Sequence, residues 1–247
     1  MPNISPHAVV ETRAIGESVV IHPFAVVRPD VTLGDGVIVH PHVVIESGAV
    51  IGENVELFPG AYIGKEPKGA GATARKPEFE RFVRIGANSS IGPHAVVYQD
   101  VEIGPGCLIG DGASIREQCV VGHRTVIGRY VTLNYNCRVG SGTKIMDHAW
   151  LAGNMTVGDD VFISGGVLTA NDNALGRAGY SEAEVLGPSI ADGALVGVGA
   201  VLLPGVVVEQ RAIVAAGAVV TRDVKAASRV QGIPARPFKS SGASEER

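Results

Sequence analysis

The chain has 247 residues with a formal net charge of -4, 33 glycines, 5 % aromatic residues and 19 % charged residues. That balance offers no general basic field to grip a nucleic acid backbone, so no nucleic acid partner is expected. No stretch approaches the roughly 20 apolar residues that cross a bilayer as a helix, and Met1 to Val10 shows no basic segment leading into an apolar run, so a cytoplasmic protein with no membrane span is expected.

In chain order, the first element is a ladder of aliphatic residues at every sixth position: Val9, Ile15, Ile21, Val27, Leu33, Val39, Ile45, Ile51, Leu57 and Ile63. The phase then breaks over about residues 65–84, a polar stretch carrying Pro67, Gly69, Gly71 and Pro77. A second ladder runs from Ile85 through Ile115, Leu133 and Leu151 to Ile163, and a second break covers about 171–188. The third ladder holds Ile190, Val196, Leu202, Val208, Val214 and Val220, and the polar stretch 240–247 is expected to be a disordered tail.

Four residues after each aliphatic comes a small or β-branched residue, as in Ala25, Val31 and Val37, or Cys107, Ala113 and Cys119. Two inward positions per hexad fit neither a 3.6-residue helix nor a plainly alternating strand. They fit short strands joined by tight turns, with Gly, Asp and Asn supplying the turns, as in Val157-Gly158-Asp159. The predicted fold is therefore all-β, a single parallel β-helix over 1–239 of about ten coils, with the two breaks leaving it as loops. Three hexads make a coil, so residues eighteen apart stack at about 4.8 Å.

This register turns the sequence into columns. One reads Glu117, Tyr135, Gly153, Asn171, and its neighbour reads Gln118, Asn136, Asn154, Asp172. Turn positions are often polar for purely structural reasons. These two columns, however, adjoin, run into the second break and carry carboxylates at both ends, which suits a site. His148, beside the single tryptophan Trp150, and His123 are further candidates to line it. Cys119 and Cys137 stack at the small inward position and read as buried thiols. With Cys107 they have neither CxxC spacing nor paired histidines, so no disulfide framework and no metal is expected.

The hexad pattern resembles that of the hexapeptide-repeat acyltransferases. This resemblance implies a left-handed coil and a homotrimer with sites between subunits. Ile115-Arg116-Glu117, the run Cys137 to Val139, Leu151-Ala152-Gly153 and Gly165-Gly166 further resemble the UDP-N-acetylglucosamine O-acyltransferases of lipid A biosynthesis. Those enzymes use a histidine as general base for a sugar hydroxyl, and Tyr135 stands at the matching position. A hydroxyl needs such a base, whereas an amine need only shed one proton to attack a thioester. Asp111 to Glu117, Asn134-Tyr135-Asn136, Lys144 to Asp147, Gly153-Asn154 and Thr169 to Asn173 look like the nucleotide-linked aminosugar N-acyltransferases.

By that resemblance the substrate is a dTDP- or UDP-linked amino-dideoxy sugar, and acetyl-CoA or another short acyl-CoA is the co-substrate. Glu117, with Asp172 as alternative, would take or orient the ammonium proton. Tyr135, Asn136, Asn154 and Asn171 would hold the substrate, and Gly153 or Gly166 would let a backbone N–H approach the oxyanion. The C-terminal coils resemble the coenzyme A side of these enzymes, which assigns Gly197, Ala215, Arg222, Lys225 and Arg236 to it. The alternatives are an O-acyltransferase of a UDP-sugar, a metal hydratase like γ-class carbonic anhydrase, and a scaffold with no ligand.

Overall fold

The computed structural model describes residues 1–69, 75–177, 179–180 and 184–238. Among these residues every regular element is a short strand and none is a helix. The strands form three sheets of 13, 11 and 10 members, the faces of a prism, parallel throughout except for the last strand of the first. The chain visits the first face at Asn3–Ile4, the second at Val9–Val10 and the third at Ala14–Ile15, then returns to the first at Val20–Ile21. This is the left-handed parallel β-helix expected from the repeat, somewhat longer than ten coils. It ends on Arg229–Gln231, against which Arg236–Pro237 folds back antiparallel.

Each strand pairs with those one coil before and after it, as Leu108 with Val126 and Ile109 with Ile127. The ladder aliphatics are the inward side chains: Ile109, Ile127 and Ile145 are all fully buried. Each contributes about 1.5–3 kcal/mol by leaving water. The small inward positions hold polar atoms only where a carbonyl is in reach. Thr125 Oγ1 donates to the Gly140 carbonyl and Thr143 Oγ1 to that of Gly158, both at 2.8 Å. The thiols of Cys107, Cys119 and Cys137 likewise donate to carbonyls at 3.0, 2.9 and 3.1 Å and are buried. Burial pushes the Cys119 thiol well above its ordinary value, so it is an inert core group.

The three edges between faces are turns, most with one residue at positive φ. At the edge joining second face to third these residues include Asp100, Gln118, Asn136 and Asn154, at φ 63°, 63°, 53° and 63°. Asn and Asp tolerate the left-handed region better than most side chains, so part of this column's polarity is a backbone requirement. Both excursions leave from this edge, the first between strands Tyr62–Lys65 and Val83–Ile85, the second between Leu168–Thr169 and Ser189–Ile190. Their bounds match the phase breaks to within a few residues. The tail 240–247 lies outside the described residues.

Candidate active site

Because both excursions spring from one edge, they flank the coils between them. Arg75 of the first and Tyr180 of the second both reach Tyr135. The Arg75 guanidinium lies 3.8 Å above the Tyr135 ring, and the Tyr180 ring meets it edge-on at 6.3 Å between centroids. Beneath the ring lies Gly153, where a Cβ would collide with the ring carbons. Glycine there seats the tyrosine, a different role from admitting a backbone N–H to an oxyanion. Gly166 lies on the edge between first and second faces, its N–H bonded to the Asp147 carbonyl at 3.0 Å, so it too departs from that expectation.

A cleft of about 670 Å³ opens beside Tyr135, in the size range of small-molecule sites. Tyr135, Asn136 and Asn154 line it, together with Arg75, Asp100 and Arg138. Asn136 Nδ2 donates to Asn154 Oδ1 at 2.9 Å, and Asn154 Nδ2 to the Val185 carbonyl at 2.9 Å, a chain tying the column to the second excursion. Asn171 stands behind the tyrosine, its Nδ2 3.4 Å from the Tyr135 hydroxyl and 3.1 Å from the Gly153 carbonyl. Burial first, then the neighbouring Tyr180, pushes the Tyr135 hydroxyl up to about 12. At neutral pH it is a hydrogen-bond donor and holds its proton.

The two carboxylates expected to handle a proton are committed elsewhere. Glu117 is fully buried under the cleft. Arg75 Nη1 donates to its Oε1 at 2.6 Å, while Arg116 reaches Oε1 at 3.1 Å and Oε2 at 3.2 Å. Asp172 accepts the backbone N–H groups of Ala174 and Gly176 at 2.7 and 2.6 Å, shaping the start of the second excursion. The carboxylates that do line the cleft are Glu78, Glu102 and Asp100, the last of them one rung below Gln118 in the same column. Burial first of all raises its affinity for a proton, and the charges of Glu80, Glu102 and Glu117 add to this. Extending the column one step toward the N-terminus reaches Asp100 from sequence alone. Arg75 is 42 residues from its carboxylate partner, and no spacing rule reveals it.

His148 and His123 do not join this cleft within one chain. His148 lies on the edge between first and second faces, stacked on Tyr130 at 5.3 Å. His123 lies on the edge between third and first faces, its Nδ1 2.8 Å from Ser141 Oγ. Among the described residues no group of three or more His, Cys, Asp or Glu could hold a metal ion. Of the residues expected to meet coenzyme A, Gly197 and Ala215 lie near the end of the first face, where a Cβ on Gly197 would press on the Ala216 backbone N–H. Arg222, Lys225 and Arg236 are exposed. Lys225 Nζ is paired with Glu209 at 2.9 Å, and Arg236 donates to the Ala235 carbonyl at 2.9 Å.

A prism of hexads whose two excursions frame a polar cleft on one edge defines a β-helix of the hexapeptide-repeat type. The family model described as bacterial transferase hexapeptide (six repeats) matches residues 14–47, and that for the hexapeptide repeat of succinyl-transferase matches 189–222. The GMPPB C-terminal domain model matches 79–175. In its repeats the chain is similar to the hexapeptide-repeat transferases. No curated protein matches it in sequence.

Among solved structures, the UDP-N-acetylglucosamine acyltransferase from Campylobacter jejuni is similar at a TM-score of 0.50 and 19 % identity, over 96 % of this chain and 74 % of that one. The Arabidopsis UDP-N-acetylglucosamine acyltransferase gives 0.50 and 22 %, over 95 % and 73 %. At these identities the shared property is the fold. The serine acetyltransferase from Brucella abortus strain S19 is 33 % identical, but over only 43 % of this chain and 41 % of its own, at a TM-score of 0.35.

Proposed function

We propose that the protein is an acyl-coenzyme A dependent N-acyltransferase whose acceptor is the amino group of a dTDP- or UDP-linked amino-dideoxy sugar. The observation that carries this reading is Tyr135. Where the related sugar O-acyltransferases keep a base, this chain places a hydroxyl held neutral by burial, and Glu117 beneath it is saturated by two guanidinium groups. A sugar hydroxyl, with its pKa far above 7, finds no base at this position, while an amine arriving neutral is already a nucleophile.

In this reaction the amine nitrogen bonds to the thioester carbonyl carbon, and the carbon–sulfur bond breaks. The departing thiolate collects the nitrogen's proton to become the thiol. Tyr135 and Asn171 supply donors near the reacting carbonyl, and Asn136 and Asn154 hold sugar hydroxyls. Glu117 and Asp172 act through others, one by fixing Arg75 and Arg116 and the other by shaping the loop. The acyl donor approaches along the C-terminal coils past Gly197 and Ala215, with Arg222, Lys225 and Arg236 available to its phosphates.

The protein works as a cytoplasmic homotrimer in this reading. Equivalent side faces permit closed cyclic symmetry, and His123 and His148, on the other two edges, would then meet the cleft from neighbouring subunits. The test is a panel of dTDP- and UDP-aminosugars with short acyl-CoA donors, read as free thiol. Absence of thiol release from every pair refutes the reading. A second reading, O-acylation of a UDP-sugar, is favoured by the whole-length fold match; acylation of UDP-N-acetylglucosamine without aminosugar turnover would establish it.

A further inference from the structure

The charged side chains lining the cleft differ in how much of their capacity is already used. Arg75 is tied to Glu117, and Glu102 to Arg84 at 3.1 Å. Asp100 spends one oxygen, Oδ2, on a long 3.2 Å bond from the Glu80 N–H, and its Oδ1 has no partner among the described residues. The Arg138 guanidinium has no ion-pair or hydrogen-bond partner among the described residues. It projects from the third face two rungs above Glu102, through the pairings of Glu102 with Val120 and Val120 with Arg138. Two rungs place it on the order of 10 Å from the acidic end of the cleft.

We infer that the cleft is bipolar and reads the acceptor by its two ends, Asp100 taking the ammonium of the aminosugar and Arg138 the phosphate of its nucleotide. The inference rests on the proposed function and extends it to residues outside the Tyr135 column. A hexose ring carrying an amine on one side and a phosphate on its anomeric oxygen spans the interval once the reach of the arginine is counted. A guanidinium fork matches phosphate oxygens. A carboxylate among other acidic groups prefers a cation, because an ammonium relieves the repulsion that Glu80, Glu102 and Glu117 impose. Asp100 so placed takes one proton from the ammonium, the neutral amine attacks, its second proton goes to the departing thiolate, and Asp100 releases the first to water, so that ammonium and thioester give amide, thiol and one proton.

The test uses the full chain and calorimetric binding of dTDP, UDP, acetyl-CoA, a dTDP-aminosugar and dTDP-glucose. Arg138→Gln is expected to weaken dTDP or UDP at least tenfold and leave acetyl-CoA unchanged. Asp100→Asn is expected to leave dTDP unchanged and to erase the preference for the aminosugar over dTDP-glucose. Both positions are accessible, so both variants should fold, and their melting curves check this. Nucleotide affinity untouched by Arg138→Gln, or an amine preference surviving in Asp100→Asn, overturns the inference while turnover by the parent protein still stands. If the parent binds acetyl-CoA but neither dTDP nor UDP, the acceptor class itself is wrong and both readings fall together.

Discussion

Replacing Glu117 by Gln keeps the shape of a fully buried side chain and removes the charge that holds Arg75 and Arg116. Removing one partner of a buried ion pair typically costs about 3–5 kcal/mol. Here the two arginine side chains remain 12 % and 30 % exposed, so both released cations can turn toward water, and a discounted cost of about 2 kcal/mol is more reasonable. At about 2–4 °C per kcal/mol for a chain of this size, the melting temperature should fall by about 4–8 °C. A solenoid opens piecewise, so the loss should show first where Arg75 is anchored, as faster tryptic cleavage after Arg75 or Arg81. Thermal melting and timed trypsin digestion, run beside steady-state kinetics, read both effects. If melting and digestion stay at parent values while kcat collapses, Glu117 is a chemical group in the reaction and the clamp argument is wrong.

Gly153→Ala should push the Tyr135 ring out of its seat, because the added methyl collides with ring carbons. Overpacking of this kind costs about 1–3 kcal/mol, and kcat should fall along with stability, seen by comparing melting and turnover. Tyr135→Phe separates the hydroxyl from the ring. The stacking of Arg75 survives, stability changes by about 1 kcal/mol or less, and kcat drops by about tenfold or more if the hydroxyl serves the oxyanion. Asp100→Asn tests a pH dependence. Burial raises the folded-state pKa of Asp100, so its ionisation opposes folding once the pH rises past the carboxylate range. The variant should therefore melt higher than the parent at pH 7, with the gap closing as the pH falls below the ordinary carboxylate value. A gap that widens in acid would mean that Asp100 is stabilised as the anion.

The division of labour between sequence and fold is visible in particular residues. The hexad ladder determines inward and outward directions by itself, since period six with two inward positions has one geometric solution, and this made Ile109, Ile127 and Ile145 legible as a stacked core. The same register placed Tyr135, Asn136 and Asn154 together, and all three line the cleft. Asp100 was as legible as these, for it is the next rung of the same column. The register set the carboxylates Glu117 and Asp172 in these columns, but their commitments were hidden. What saturates Glu117 is a guanidinium from another coil's excursion, and what occupies Asp172 is the backbone of its own loop.

The sequence by itself thus determined the prism, its phase breaks and the columns along its edges, because strand pairing in a solenoid is local and repeats every coil. It could not determine that both excursions leave from one edge, nor that both turn back over one tyrosine. That was decided by tertiary structure. Loop residues obey no period, and contacts such as Arg75 on Tyr135, Tyr180 beside it and Arg75 on Glu117 join segments that only three-dimensional closure brings within a few ångströms.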